Sequence, residues 1–197
     1  VELPDRLVVH KPVGWEVDEG GRERATGAEG RRLSRYVRAM LPPRQWPILH
    51  DAARRHGFLH RLDLPSSGLI LVAKTYEAYY DSLLQLSTGG MVREYVSLCH
   101  GWMPSARSCI AARLEWDEGS HLPSIVHRQG KPSVTKAVVL AHSQREDEAL
   151  SLAALRISTG RRHQIRAHVA HVGCPVVGDR RYAAEAGRAD RAWCPRH

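Results

Sequence analysis

Runs of short, alternating or unbroken apolar residues at 6–10, 69–73, 92–98, 134–140 and 149–157 read as β-strands, whereas helical spacing occurs at 33–41, 76–87 and 162–172. That irregular order is the strongest constraint on the fold. Strand and helix do not alternate with a fixed period, which excludes a repeating βαβ sheet and leaves an α+β architecture. The stops are chemically plain: Pro42-Pro43 ends the first helix, Gly89-Gly90 the second, and Gly173 with Pro175 the third. The last two strands are close enough in sequence to form a hairpin. Val134, Ala137, Val138, Val139 and Leu140 are expected in the core, and Trp15, Trp46, Trp102, Trp116 and Trp193 are expected to pack there rather than form a stacking platform. Polar stretches at 18–32 and 117–132 read as loops.

Composition narrows the function classes. At 197 residues and 43% hydrophobic content, the chain has enough material for a packed core. No apolar run approaches the roughly 18 residues of a membrane helix, so no membrane partner is expected. The net charge is +8, and all but four of the 29 basic residues are arginine. Arginine's planar fork matches phosphate oxygens and stacks on bases, which points to nucleic acid, although a codon bias toward arginine gives the same composition. Cys99, Cys109, Cys174 and Cys194 form no metal-like pair, and a reducing compartment is the simpler reading. The chain begins at Val1, not at an initiator methionine, and shows no signal pattern, so a processed product or an excerpt of a longer protein is expected, cytoplasmic or, with a targeting segment upstream, organellar.

The first chemical cluster is His60-Arg61-Leu62-Asp63-Leu64-Pro65-Ser66-Ser67-Gly68. Four turn formers follow Asp63 and lead into the apolar run Leu69 to Val72. A carboxylate there sits on a loop braced by a strand, the usual seat of a catalytic group. Capping its own turn is the ordinary alternative.

The second cluster, Thr159-Gly160-Arg161-Arg162-His163-Gln164-Ile165-Arg166, follows a strand and opens the last helix. Read as a helix from Arg162, it places Arg162 and Arg166 one turn apart on one face, with Arg161 at its start. Cations at a helix start oppose the macrodipole, so their presence indicates a need for charge, with a solvated basic face as the alternative. His163, His168 and His171 lack the spacing and the acidic ligand of a zinc site, and no metal is expected.

With both clusters in view, the chain resembles the RluA-type family of RNA pseudouridine synthases. Lys11-Pro12-Val13-Gly14 is similar to the family's K-P-x-G turn, and His60 to Leu69 to its H-R-L-D-x-x-T-S-G-L signature. Arg93-Glu94-Tyr95 resembles the K-x-Y strand, and Thr159 to Arg166 resembles T-G-R-T-H-Q-I-R. Gly173 to Asp179 continues into a G-x-P-x-x-G-D turn that ends at Tyr182. The resemblance implies a single catalytic domain over 1–197, built on a central mixed, mostly antiparallel sheet with flanking helices and an active-site cleft. It implies isomerisation of uridine to pseudouridine in ribosomal or transfer RNA, without cofactor or metal, by a chain expected to be monomeric.

By the same resemblance, Asp63 is the catalytic carboxylate, Tyr95 the ring that stacks on the target base, and Arg166 the partner of the aspartate. Arg61 takes the place of the flipped base, and His60, Arg161, Arg162, His163 and Gln164 are expected at the substrate. The chemistry of the residue types agrees. Breaking a glycosidic bond leaves an electron-poor sugar carbon that a carboxylate can attack or stabilise. A guanidinium keeps such a carboxylate charged where water is excluded, and a stacked uridine must leave the helix to be reached. Ser66 for Thr, Arg93 for Lys and Arg162 for a small hydroxyl residue are departures that remove no chemical role. Two rivals are a catalytically silent RNA-binding module on the same fold and a metal-dependent hydrolase built on the histidines.

Overall fold

The computed structural model describes residues 1–18, 31–105, 108–117, 122–146 and 148–186. Most of the stretch expected as a loop at 18–32, together with Trp193 and Cys194, lies outside them. The chain divides into two compact units, Val1–Met91 and Val92–His197.

In the first unit, β1 (Arg6–Lys11) pairs antiparallel with β2 (Gly68–Ala73), in a register that sets Lys11 opposite Gly68. Two helices, α1 (Leu33–Met40) and α2 (Tyr76–Thr88), complete it with two short 3-10 turns at Pro47–His50 and Ala52–Gly57. The boundaries of α2 follow its end chemistry. Thr75 Oγ1 accepts the Ala78 N–H at 3.2 Å, and Gly89 closes the helix in the left-handed conformation at φ 78°. Ile48, Leu49, Phe58, Ile70 and Val72 are fully buried and form the centre of this core.

The stretch before the Asp63 loop is bent hard. Arg55, His56 and Gly57 all have positive φ, at 52°, 53° and 77°. Left-handed backbone at two successive non-glycine residues is costly and persists only where packing fixes it. Phe58, next in line, is fully buried and bridges to Val72 of β2, which supplies that packing.

The second unit holds a four-stranded antiparallel sheet in the order β3 (Arg93–His100), β8 (Glu148–Ile157), β7 (Val134–Arg145), β4 (Ser108–Ala111). A second, small sheet pairs β5 (Leu114–Glu115) with β6 (Ile125–Val126), and β6 falls inside the stretch expected as a loop. The helices are α3 (Gln164–His171) and α4 (Arg180–Ala186). The hairpin of β7 and β8 and the α+β character match the reading of the sequence. The parallel part of the expected mixed sheet reduces, among the described residues, to one isolated bridge from Glu16 to Arg32.

One face of the large sheet carries Cys99, Ala137, Ala153 and Leu155, against which Val169 of α3 packs. The core assignment on β7 needs correction. Ala137 is buried, but Val138 and Leu140 are 37% and 55% exposed, because strand alternation turns both outward, just where a bulge between Val139 and Ala141 interrupts the register. Trp102 also departs from expectation. It is half exposed, with its ring 4.9 Å from that of His142, whereas Trp15, Trp46 and Trp116 pack against buried clusters.

Gly57 tests how far the bent segment depends on glycine. A Cβ there would overlap the Ala73 carbonyl oxygen and crowd Leu49, at a φ that L-residues resist. Gly57→Ala is therefore expected to cost about 2–4 kcal/mol in urea denaturation, against less than about 0.5 kcal/mol for an exposed substitution such as Ala52→Ser.

Candidate active site

In the first unit, Asp63 is half-buried on the loop before β2, and its carbonyl accepts the Ser66 N–H at 3.0 Å to close a turn through Leu64 and Pro65. The brace for that turn is Lys11. Its side chain is fully buried at the end of β1, and the ammonium donates to the carbonyls of Pro12 at 3.0 Å, Trp15 at 2.8 Å and, at the limit of reach, Leu64 at 3.5 Å. The Gly14 N–H reaches the same Leu64 carbonyl at 2.9 Å. The Lys11-Pro12-Val13-Gly14 turn thus clasps the residue next to Asp63. Burial pushes the Lys11 ammonium below its usual range, and the negative charge of Asp63 pulls it back up. A buried ammonium without such partners would be prohibitively expensive, so its place fixes the loop as much as the loop fixes it.

His60 and Arg61 part company. The Leu71 N–H donates to His60 Nε2 at 3.2 Å, so the imidazole pins the start of the loop to β2. Arg61 is exposed.

In the second unit, Tyr95 lies partly buried on β3, facing the cluster that contains Val169 and Ile165 of α3. The helix itself starts later than the sequence predicts, at Gln164 instead of Arg162. His163 adopts φ 52° and ψ 23°, which turns the chain before the helix begins. Arg161 and Arg162 therefore lie on the entering loop, and only Arg166 stands in the first helical turn. The separation of Arg162 and Arg166 by one turn of a single face does not hold.

Arg166 is fixed in its own unit by Asp179. Nε meets Oδ2 at 2.6 Å and Nη2 meets Oδ1 at 2.9 Å, with the two side chains only 11% and 8% exposed. Its guanidinium also lies 4.9 Å from the centroid of the fully buried Tyr182 ring. Burial acts to raise the Asp179 carboxyl, but the hydrogen bonds and charge of Arg166 prevail and hold it below the ordinary range. Asp179 and Tyr182 ended the last motif in the sequence without a role. The G-D-x-x-Y spacing was the available signal.

Several residues expected at the substrate are engaged inside the unit. Gln164 is buried, and its Oε1 accepts from Thr159 Oγ1 at 2.9 Å and the Arg161 N–H at 3.0 Å. Its Nε2 donates to the Val134 carbonyl at 2.9 Å and to Thr135 Oγ1 at 3.2 Å. Gln164 therefore ties the Thr159–Arg161 loop to β7. Buried His163 shares a hydrogen bond of 3.1 Å with the Tyr182 hydroxyl, which also accepts the Ser124 N–H. Arg162 reaches the Asp117 carbonyl at 3.2 Å.

His168, set aside as a metal ligand, is fully buried and uses both ring nitrogens, Nδ1 on Thr135 Oγ1 at 2.9 Å and Nε2 on the Ala112 carbonyl at 3.2 Å. Desolvation lowers its pKa to about 4.

Comparison with known proteins identifies the family. The family model for RNA pseudouridylate synthase matches residues 5–171. The ribosomal large subunit pseudouridine synthase D of Buchnera aphidicola is 33% identical over 92% of this chain and 53% of its own length. An uncharacterised RNA pseudouridine synthase of Bacillus subtilis, YlyB, is 34% identical over 92% of the chain and 56% of its own. The chain thus spans about half the length of these relatives. Among solved structures, the human RNA pseudouridylate synthase domain containing 1 superposes with a TM-score of 0.65 at 28% identity, covering 97% of this chain and 71% of that one. A motif set spread over both units and a family match across most of the sequence lead to one conclusion: the chain belongs to the RNA pseudouridylate synthase family.

Two outcomes follow from the buried pairs. His168 binds a proton in the unfolded chain below about pH 6.5 but in the folded protein only near pH 4, so stability is complete above the first value and falls as pH drops toward the second. The loss is on the order of 3 kcal/mol, and a His168→Gln variant should show a flatter stability curve between those values in urea titrations. For Asp179, whose folded pKa is depressed, the contribution is present above the ordinary carboxyl value and disappears as pH falls through the lowered one. Asp179→Asn leaves Arg166 without its carboxylate and should cost about 3 kcal/mol at neutral pH, a penalty that shrinks in acid.

Proposed function

We propose that this chain isomerises uridine to pseudouridine in RNA, with large-subunit ribosomal RNA as the substrate class and transfer RNA as the second candidate. The observation that carries the reading is Asp63 itself: a carboxylate in the family's signature loop, held on a turn that buried Lys11 clasps through backbone carbonyls. The ribosomal preference is supported by relatives named for the large ribosomal subunit.

The reaction is an isomerisation, and its atoms balance without a carrier. The N1–C1′ bond breaks, the base turns, C5 bonds to C1′, and the hydrogen on C5 is exchanged for one on N1. In this reading Asp63 stabilises or attacks the electron-deficient centre formed by bond cleavage. Tyr95 holds the detached ring by stacking, which keeps it from leaving while it turns. Arg166 supplies positive charge, already oriented by Asp179. Arg61 fills the gap in the RNA stack left by the extruded nucleotide.

The test follows the C5 hydrogen. RNA transcribed with tritium at uridine C5 releases one tritium for each pseudouridine formed. Wild-type protein should release label from large-subunit ribosomal RNA, and Asp63→Asn should reduce the rate by about 10³-fold or more, the scale of losing an essential catalytic group, while circular dichroism shows the variant still folded. Release from transfer RNA alone would move the substrate class. Tight RNA binding with no release by wild type would leave a silent RNA-binding protein.

A further inference from the structure

Four arginines of this protein are held by carboxylates, while Arg54 donates to the Tyr80 hydroxyl and Arg113 to the Gly130 carbonyl. Arg6 meets Asp5 at 2.6 Å, Arg32 meets Glu16 at 3.2 Å, Arg156 meets Glu94 at 2.6 Å, and Arg166 meets Asp179 at 2.6 Å. Arg93 and Arg161 differ from those four: neither has a carboxylate within 4.0 Å among the described residues. Both side chains are nevertheless partly buried, and the Nε of each is shut off from water with no hydrogen-bond acceptor among the described residues. An N–H donor on a charged group treated in this way costs upward of about 1–3 kcal/mol. Each buried donor left in this way calls for an explanation, and one is a functional role.

The two residues share one small region of the second unit. Arg93 stands opposite Ile157, the last residue of β8, and the chain runs directly from there into Ser158, Thr159, Gly160 and Arg161. Arg93 Nη2 donates to the Ser158 carbonyl at 3.1 Å. Its Nη1 lies so close over Gly160 that a Cβ there would stand only 2.6 Å away. The bare glycine gives the guanidinium a seat on the loop. Arg161 follows immediately, its backbone N–H fixed by Gln164 Oε1 at 3.0 Å. Gln164 thereby sets the loop that carries Arg161, which explains why a residue expected at the substrate is instead fully engaged within the protein.

Arg93 also shares a face of β3 with Tyr95, two residues away and therefore about 7 Å along the strand. That is the separation of a base from a backbone phosphate of its own or the neighbouring nucleotide. We infer that Arg93 and Arg161, on either side of Gly160, bind an RNA backbone phosphate next to the base that rests on Tyr95. The guanidinium at position 93, where the resemblance has lysine, can engage two phosphate oxygens at once, which an ammonium cannot do in a fixed plane. This inference rests on the pseudouridine synthase reading and adds the contact that positions the nucleotide.

Salt dependence of binding separates a phosphate contact from a structural role. Affinity for an unmodified large-subunit ribosomal RNA transcript would be measured from low to moderate salt for wild type, Arg93→Ala, Arg161→Ala, Arg93→Lys and, as a control, Lys136→Ala. Lys136 is exposed on β7 and stands opposite Arg156, on the other face of the sheet from Tyr95. Each alanine variant at 93 or 161 should lower the slope of log affinity against log salt by about 0.7–1 and weaken binding roughly tenfold. Arg93→Lys should keep the slope and lose affinity, and the Lys136→Ala slope should equal that of wild type. Slopes for Arg93→Ala and Arg161→Ala equal to wild type, or reduced no more than in Lys136→Ala, would overturn the phosphate site while tritium release by wild type left the enzymatic reading standing. Wild-type protein that neither bound RNA nor released tritium would overturn both.

Discussion

A guanidinium in the first turn of a helix, removed from water, is unfavourable twice over: it loses hydration and it opposes the helix dipole. The bidentate pairing of Arg166 with Asp179 offsets both costs, and the second unit is organised around it. Because Asp179 immediately precedes α4, the ion pair joins the start of one helix to the start of the next. Tyr182, one turn into α4, then lies under the guanidinium and takes His163 and the Ser124 N–H on its hydroxyl. His163 is itself the left-handed residue at which the chain bends into α3. Three separate stretches of chain, at Ser124, 163–166 and 179–182, are fixed relative to one cation.

The first unit meets a similar problem with different means. Lys11 has no bidentate carboxylate among the described residues, and its ammonium is solvated by backbone carbonyls, one of them on the Asp63 turn. The charge of Asp63 compensates part of the burial. A flexible surface lysine would leave the turn free to move. A buried one, satisfied by carbonyls at fixed positions, converts the loop into a rigid support, and rigid placement of charge is what lets an active site stabilise a transition state without reorganising.

Much of this was legible beforehand. The strands at β1, β2, β3 and the β7–β8 hairpin, and the extent of α2, follow from alternation and from Thr75 and Gly89 at the helix ends. The chemical clusters were legible because turn formers and charges sit together in short windows. Other features were not. β4, β5 and β6 are four residues or fewer, too short to show a period. The start of α3 was misplaced because nothing local reveals that His163 takes positive φ; Tyr182, 19 residues on, holds it there. Val138 and Leu140 read as core by composition and lie on the outward face of β7, because an unbroken apolar run does not show which face of a strand is covered.

The sequence by itself determined which chemistry is available: one carboxylate in the H-R-L-D loop, an aromatic ring on a strand, and a concentration of guanidinium groups before a helix. Those are properties of residue type and near-neighbour order. Only the tertiary structure decided which of these groups are engaged inside the protein. Gln164 bonds to Val134, 30 residues away, His168 to Ala112, 56 away, and Arg166 to Asp179, while Arg93 and Arg161 find no carboxylate among the described residues. The physical reason is that hydrogen-bond satisfaction is settled by distant partners brought together in space. A motif specifies donors and acceptors, but folding assigns them.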